Sequence, residues 1–569
     1  MRADGKPEGL RQAMSWLHTW SGLVLGWLLY AIFFTGTLSY FQNEITLWMK
    51  PELHRSVRTG DVAATAEAAV AGMHKLAPEA TTFMLSLPDS RQSTVAAVWR
   101  NPGAPEGRAG MQRAEMDAAT GEAITARQTL GGSFLYRFHF ELYGLPRVWT
   151  RWLVSIATAF MFVAILSGVI THKKIFTDFF TFRPRKGQRS WLDAHNATAV
   201  LSLPFHLMIT FSGLLLLMAL TLPWAIDSVY KGDRTSYFNE RRGTAAPLAA
   251  LAVLKNDPKP AAERAPLAPI GPMLAEAARQ WPDGEVAFIS ATGLDTPAPV
   301  VELRERQARS LADRGARRRL LFDGISGQPK PAPEAAAPGW PMTIYNVLTA
   351  AHMGRFADAP VRWVLFLFGV TGTLMAATGM ALWVVKREPD RRKLGRTPWG
   401  HRLVMVLNAG VIGGLSVAVA AYFWLNRLLP FDLAGRQEWE VRGFFIVWLL
   451  CLLHSFARSY RRAWLELTGR AALLFALLPL LNGLTGGAAL PQSLARGQWG
   501  IAGFDLVMLA LAALHGVIAW HLRPSAQPII KPKAAPRPAA ASSAKSAPPA
   551  SAEAAPPAPA AARPEGAAV

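Results

Sequence analysis

The chain has 569 residues, 51% of them hydrophobic, with 20 tryptophans, one cysteine and a formal net charge of +21. A single cysteine excludes an intrachain disulfide, a cysteine-ligated iron–sulfur cluster and an all-cysteine zinc site. Such a charge can serve nucleic acid, but here the basic residues sit in short runs beside long apolar stretches, which points to membrane topology instead.

A run of about 20 apolar residues spans a bilayer as a helix. The first covers 18–41, after a short N-terminal segment, so 1–42 is the N-terminus and first span. It is too long, and lacks a small-residue cleavage site, for a removable signal peptide. Residues 43–145 then read as a small α+β domain. A helical stretch at 63–76 precedes "TTFMLSLP", "STVAAVWR" and "RAEMDAATGEA", whose alternating apolar residues argue for strands. "DAATGE" (117–122) is a tight turn, with Asp first and Gly near the end.

The segment 146–221 holds a span at 149–171, a loop over 172–194 with six Lys/Arg, and a span at 197–221. Residues 222–350 repeat the small-domain signature: a helix at 270–280, then "GEVAFISATG", "APVVELRER" and "RRLLFDGISGQP", with a second turn at 323–328. Residues 351–395 bring a span at 361–385 and the basic run "KREPDRRKLGR". Four further spans fill 396–522, at 402–425, 442–457, 470–487 and 501–521, with "RSYRR" between the second and third. Residues 523–569 are rich in Ala, Pro, Ser and Lys; such a tail cannot bury enough surface to fold and reads as disordered and cytoplasmic.

The fold class expected is thus a predominantly α-helical polytopic membrane protein with about eight transmembrane helices and two small α+β domains. If Arg2, Lys6 and Arg11 are cytoplasmic, all three basic clusters fall on that side, both termini are inside and the two small domains are outside. Cys451, within the sixth span, reads as a buried inert thiol.

The order helix, small domain, helix occurs twice, over 18–171 and 195–386. His18 and His195 open the two repeats. His139 in "FLYRFHFELYGLPRVW" and His352 in "NVLTAAHMGRFADAPVRW" stand before the second helix of each. Ionisable side chains inside membrane spans are costly and are functional candidates by default. His195 and His206 are eleven residues apart, so on one continuous helix they share a face and lie roughly 16 Å apart along the axis, a separation suited to ligands of two stacked haems. Low-spin electron-transfer haem takes one imidazole from each side. His172 joins His18 and His195 at one membrane surface, and Asp193 is placed to accept from a ligand imidazole. Each of these histidines also has a structural reading, as an interfacial or hydrogen-bonded residue; His206, beside Pro204, could serve a freed carbonyl. His54, His74, His401, His454, His515 and His521 read as structural. Small-residue pairs at 35–38, 167–170, 212–215 and 378–381 allow close helix packing or room for a flat cofactor.

The stretches "LHTWSGLVLGWLLYAIFFTGTLSYF" and "FHFELYGLPRVWTRWLVSIATAFMFVAILSGVITHKKIFTDFFTFRPRKGQRSWLDAHNATAVLSLPFHLMITFSGL", with the two D-x-x-[ST]-G turns, resemble the PepSY-associated transmembrane family over about 1–390. The resemblance implies four core helices carrying two periplasmic PepSY-like domains in a bacterial inner-membrane protein. Relatives of this kind are iron-regulated, and some are ferric-siderophore reductases with histidine-held haem. It implies haem b, two groups, with His139 and His352 at the outer site and the inner site drawn from His18, His172 and His195; His206 serves either site or bridges them. The substrate implied is a ferric siderophore, and the donor a cytoplasmic reductase or quinol. The competing expectation is a non-enzymatic permease, accessory or peptidase-regulating membrane protein with ligand-binding periplasmic domains. No C-x-x-C-H, HExxH, P-loop or strand–G-x-G-x-x-G–helix unit occurs, so covalent haem, zinc protease chemistry, ATP-driven transport and a built-in NAD or flavin domain are not expected.

Overall fold

The computed structural model describes residues 9–524, except 59, 106, 173–175, 178–180, 243–265, 307–310, 313–316, 332–338 and 355. The tail read as disordered, from residue 525 on, Arg2 and Lys6 of the N-terminus, and Lys173 and Lys174 of the basic loop lie outside the described residues.

Eight described helices are long and apolar enough to cross a membrane. The first repeat contributes α1 (Leu10–Ser39), the short α2 (Gln42–Trp48), α3 (Val62–Leu76), α4 (Gly132–Glu141) and α5 (Arg147–Thr171). The second contributes α6 (Gln188–Leu201), α7 (Leu203–Thr221), α8 (Pro223–Tyr230), α9 (Arg234–Arg242), α10 (Ile270–Gln280), α11 (Trp340–Met353) and α12 (Ala359–Lys393). The C-terminal unit has α13 (Trp399–Leu407), a π-helical turn over Asn408–Gly413, α14 (Gly414–Leu428), α15 (Arg436–Ala457), α16 (Tyr460–Leu484), α17 (Leu490–Ala495) and α18 (Trp499–Leu522).

The third span differs from expectation. Pro204 cannot donate to the helical ladder, and the chain breaks at Ser202 (φ −124°, ψ 31°), ending α6 and starting α7. His195 and His206 therefore lie on different helices, and the shared-face argument does not hold. The sixth and seventh spans begin earlier than apolarity suggested, at Arg436 and Tyr460. In α15 the reason is pairing: Glu440 accepts from Arg436, one turn away, so both charges are satisfied and the helix continues through them.

Both α+β units are present, and they are fused. Strands β1 (Thr82–Ser86), β2 (Val95–Arg100), β3 (Met111–Met116) and β4 (Ala123–Ile124) come from the first. Strands β5 (Val286–Thr292), β6 (Val300–Glu305), β7 (Arg319–Asp323) and β8 (Pro329–Lys330) come from the second. They form one antiparallel sheet in the order β4-β3-β2-β1-β5-β6-β7-β8. The join is β1 on its own counterpart β5, with Phe83 opposite Ala291 and Leu85 opposite Ile289. Pairing the two inner edges leaves only the two-residue β4 and β8 at the rims, which protects the sheet from further pairing. Counterpart helices meet as well, the α10 amide of Gly271 donating to Glu67 of α3 (2.7 Å). Phe83, Leu85, Ile289, Leu303 and Phe322 share one buried core with α3 and α10. An antiparallel contact between equivalent elements is a two-fold relation, so the repeats are related by a local two-fold axis through the β1–β5 seam.

Both turns form. Asp117 accepts from the amides of Ala119 and Thr120 (3.0 Å each), and Asp323 from those of Ile325 (3.1 Å) and Ser326 (2.9 Å). The Ser326 amide, then Lys330, hold the Asp323 carboxyl well below the usual carboxylate range. The sheet is tied to the membrane helices by Arg91, whose guanidinium donates twice to Glu44 of α2 (2.8 Å each), while Arg362 of α12 reaches the same carboxylate (3.0 Å).

Candidate haem-binding site: two histidine pairs on the two-fold

Four of the six candidate histidines meet in two pairs. His139 of α4 faces His352 of α11, ring centres 6.1 Å apart; His18 of α1 faces His195 of α6, also at 6.1 Å. Each histidine faces its own counterpart in the other repeat. The axis that runs through the sheet seam therefore also passes between the members of each pair. The His139–His352 pair lies toward the sheet and the His18–His195 pair at the far end of the helices, roughly 20 Å away by helical rise.

All four rings are anchored through Nδ1. His139 donates to the Ile32 carbonyl (2.8 Å), His18 to the Ala164 carbonyl (2.8 Å) and His195 to the Met375 carbonyl (3.0 Å). His352 meets Ser212 Oγ (2.8 Å). That hydroxyl gives its own proton to the Met208 carbonyl (2.6 Å), so it accepts from His352. Carbonyls and an engaged hydroxyl can only accept, which fixes the proton on Nδ1 and leaves the Nε2 lone pair free, the state a metal requires. No hydrogen bond among the described residues engages any of these four Nε2 atoms.

The spacing separates two possibilities. A direct N–H···N bond of ~2.9 Å would set the ring centres only ~5.1 Å apart, counting ~1.1 Å from each nitrogen to its ring centre. Two metal–imidazole bonds of ~2.0–2.1 Å set them at ~6.3 Å by the same count. The observed gap is too wide for a bond between the rings; it has room for a metal between them and also falls within the range of plain ring packing.

A glycine backs every ring. A Cβ on Gly36 would stand 2.5 Å from His139 Nδ1, and one on Gly168 would stand 3.1 Å from His18 Cε1. The values are 3.1 Å for Gly379 against His195 Cε1 and 3.5 Å for Gly213 against His352 Cε1. Three of the carbonyls above lie four residues before one of these glycines: Ile32 before Gly36, Ala164 before Gly168 and Met375 before Gly379. One helical turn thus supplies both the anchor and the space. These glycines are the small-residue pairs noted in the sequence, where their packing role was legible but not the histidine each one faces. The donor set and the cradles fit a bis-imidazole haem in each pair. Among the described residues no group of three or more His, Cys, Asp or Glu could hold a bare metal ion.

The other candidates go elsewhere. His172 caps the end of α5, and its Nε2 accepts from Asn196 Nδ2 (3.0 Å), so it joins neither pair. His206 is fully buried between the two levels, against Phe33 (5.9 Å) and opposite Gly372, with Nε2 3.3 Å from Ser202 Oγ. Asp193 does not orient His195. Two residues earlier on α6, it points away from that face; Arg183 holds it through Nε and Nη2 (2.9 Å each), and these bonds keep its carboxyl below its ordinary value. The backbone carbonyl of Met375 has the role expected of Asp193. Cys451 is buried, as expected.

The C-terminal unit packs on this core through polar groups that sequence reading left aside. Trp48 donates to Asp505 (2.8 Å) and lies under the Arg427 guanidinium (4.2 Å). Arg127 donates to Glu52 (2.9 Å) and to the Asn426 carbonyl (2.8 Å). His54, read as structural, bonds the Leu47 carbonyl (2.9 Å) and accepts from the Ala488 amide (3.0 Å).

The family pattern of the PepSY-associated TM region matches residues 15–386, both repeats and none of the C-terminal unit. No curated protein matches the chain.

Proposed function

The chain belongs to the PepSY-associated transmembrane family, and we propose that it is a b-type haem protein of the bacterial inner membrane that carries electrons outward to reduce ferric iron, presented as a siderophore complex on the sheet side. The observation that carries this reading is the doubled pair of imidazoles, each with a free Nε2, at a spacing suited to a shared metal.

His139 and His352 would hold one haem, and His18 and His195 the other. Haem held in this way supplies a one-electron Fe(III)/Fe(II) couple whose potential the surroundings tune. The chain's own part is positional. The carbonyls of Ile32, Ala164 and Met375 and the hydroxyl of Ser212 fix ring orientation and tautomer. The glycines leave room behind the rings for the imidazoles to seat. Phe33 and the buried His206 pack edge to face, ring centres 5.9 Å apart. On the substrate, gaining one electron lowers the iron's charge and weakens its bonds to hard siderophore oxygens. A cytoplasmic reductase or membrane quinol would provide the electron, and the sheet domain, outside in this topology, would receive the siderophore.

Purified protein produced with haem supplied should be red, with a Soret band that shifts on dithionite and two haems per chain by pyridine haemochrome. A ferric siderophore added to the reduced protein should reoxidise it. A colourless preparation would overturn the reading and favour a ligand-binding membrane protein without redox chemistry.

A further inference from the structure

The two-fold relation is broken around the sheet-side pair. His139 and His352 are counterparts, yet the helices that carry them have different surroundings. The face of α4 turned from His352 is covered by the C-terminal unit: Phe134 packs on Tyr422 (4.9 Å) and Phe444 (5.0 Å), and Phe138 on Phe445 (5.6 Å) and Trp448 (6.0 Å). The entry to α4 is held by the same unit. Tyr422 Oη donates to the Gly131 carbonyl (3.1 Å), Arg436 donates to the Gln128 carbonyl (3.1 Å), and Thr129 Oγ1 donates to Glu440 while accepting from the Gly131 amide (3.0 Å). Gly131 itself is at φ +54°, ψ −144°, a conformation that other residues adopt only under strain. No hydrogen bond or ring contact between α11 and the C-terminal unit occurs among the described residues, and its Trp340 and Ile344 are exposed.

We propose that the C-terminal four-helix unit is the positioning frame of the sheet-side pair: it fixes His139 on α4 through Thr129, Tyr422 and the Phe134–Phe138 face, and among the described residues makes no such hydrogen bond or ring contact with α11, which carries His352. The inference rests on the haem reading of that pair. It gives the unit outside the family pattern a role in the site, holding one imidazole of the pair through contacts that symmetry alone would not provide. Thr129 and Tyr422 act through His139 and are positioning residues.

The test uses the full chain in lipid nanodiscs, as Thr129→Val, Thr129→Ser and Tyr422→Phe. In the haem-loaded protein, the low-spin EPR signal and midpoint potential of one haem should shift in Thr129→Val and Tyr422→Phe while the other haem keeps its own. Thr129→Ser, which retains the hydroxyl, should restore the wild-type signal. In the haem-free chain, amide exchange across Gly131–Glu141 should rise about five- to tenfold, the scale of one lost hydrogen bond. Unchanged exchange and unchanged signals in Thr129→Val, or equal shifts at both haems, would overturn the frame while leaving the haem reading intact. A wild-type chain that binds no haem would remove that reading, and the exchange result alone would then decide whether the unit braces α4. Should Tyr422→Phe not fold, the Thr129→Val and Thr129→Ser comparison decides.

Discussion

Gly36 and Gly213 are counterparts in the two repeats, but they leave different clearances, and alanine at each should behave differently. At Gly36 the new methyl would stand 2.5 Å from His139 Nδ1 and 2.6 Å from Cε1, so the ring must retreat by about 1 Å to reach ordinary contact. That movement stretches the bond to the Ile32 carbonyl, worth about 1 kcal/mol net, and overpacks a tight helix crossing at about 1–3 kcal/mol. The gain from Gly to Ala in a helix, about 1 kcal/mol, offsets only part. Gly36→Ala should therefore destabilise the chain by about 1–3 kcal/mol and lower haem at the sheet-side pair. At Gly213 the nearest ring atom would be 3.5 Å away, an ordinary contact; Gly213→Ala should be neutral or stabilise by up to about 1 kcal/mol. Gly168→Ala and Gly379→Ala, at 3.1 Å, should fall between. The assay is haem per chain together with thermal melting of the four variants in one detergent. If Gly36→Ala retains haem and stability no worse than Gly213→Ala, the claim that these glycines exist to clear the imidazoles is wrong.

His139→Ala and His352→Ala should each reduce haem from two per chain to one and abolish the same spectral component; His18→Ala and His195→Ala should abolish the other. His172→Ala and His206→Ala should keep both, although His206→Ala leaves a buried hole and should lower the melting temperature. Asp193→Asn should leave haem content unchanged, since its partner is Arg183, and should increase proteolysis of the loop before α6. The carboxyl of Asp323 is held below its unfolded value, so its contribution is present above about pH 4 and is lost as pH falls through the folded value. Acid unfolding of the sheet domain in Asp323→Asn should accordingly show a shallower loss below about pH 4 than in the wild type, as followed by tryptophan fluorescence.

All eight spans were legible, because hydrophobic length is a local property that a bilayer reads directly. The Asp-led turns were legible for the same reason: Asp323 bonds amides two and three residues ahead. The α+β units were visible, but their fusion was not, since nothing in "TTFMLSLP" or "GEVAFISATG" says that each will choose the other as neighbour. Equivalence of His139 with His352 was visible from the duplication, and only the three-dimensional axis turns equivalence into contact. The break at Ser202 is signalled by Pro204, and it removes the shared face that an unbroken helix would give His195 and His206. Asp193 looked like an orienting group by adjacency; helical phase sends it toward Arg183 instead.

Because each of the four paired imidazoles confronts its own duplicate, a polypeptide of one repeat carries a single donor for each level and can close neither gap alone. Two copies joined along β1 would close both at once. Duplication in this architecture thus makes permanent, within one chain, an arrangement that free halves could reach only by meeting, and it allows each half to diverge, so that one donor can acquire neighbours its twin does not share.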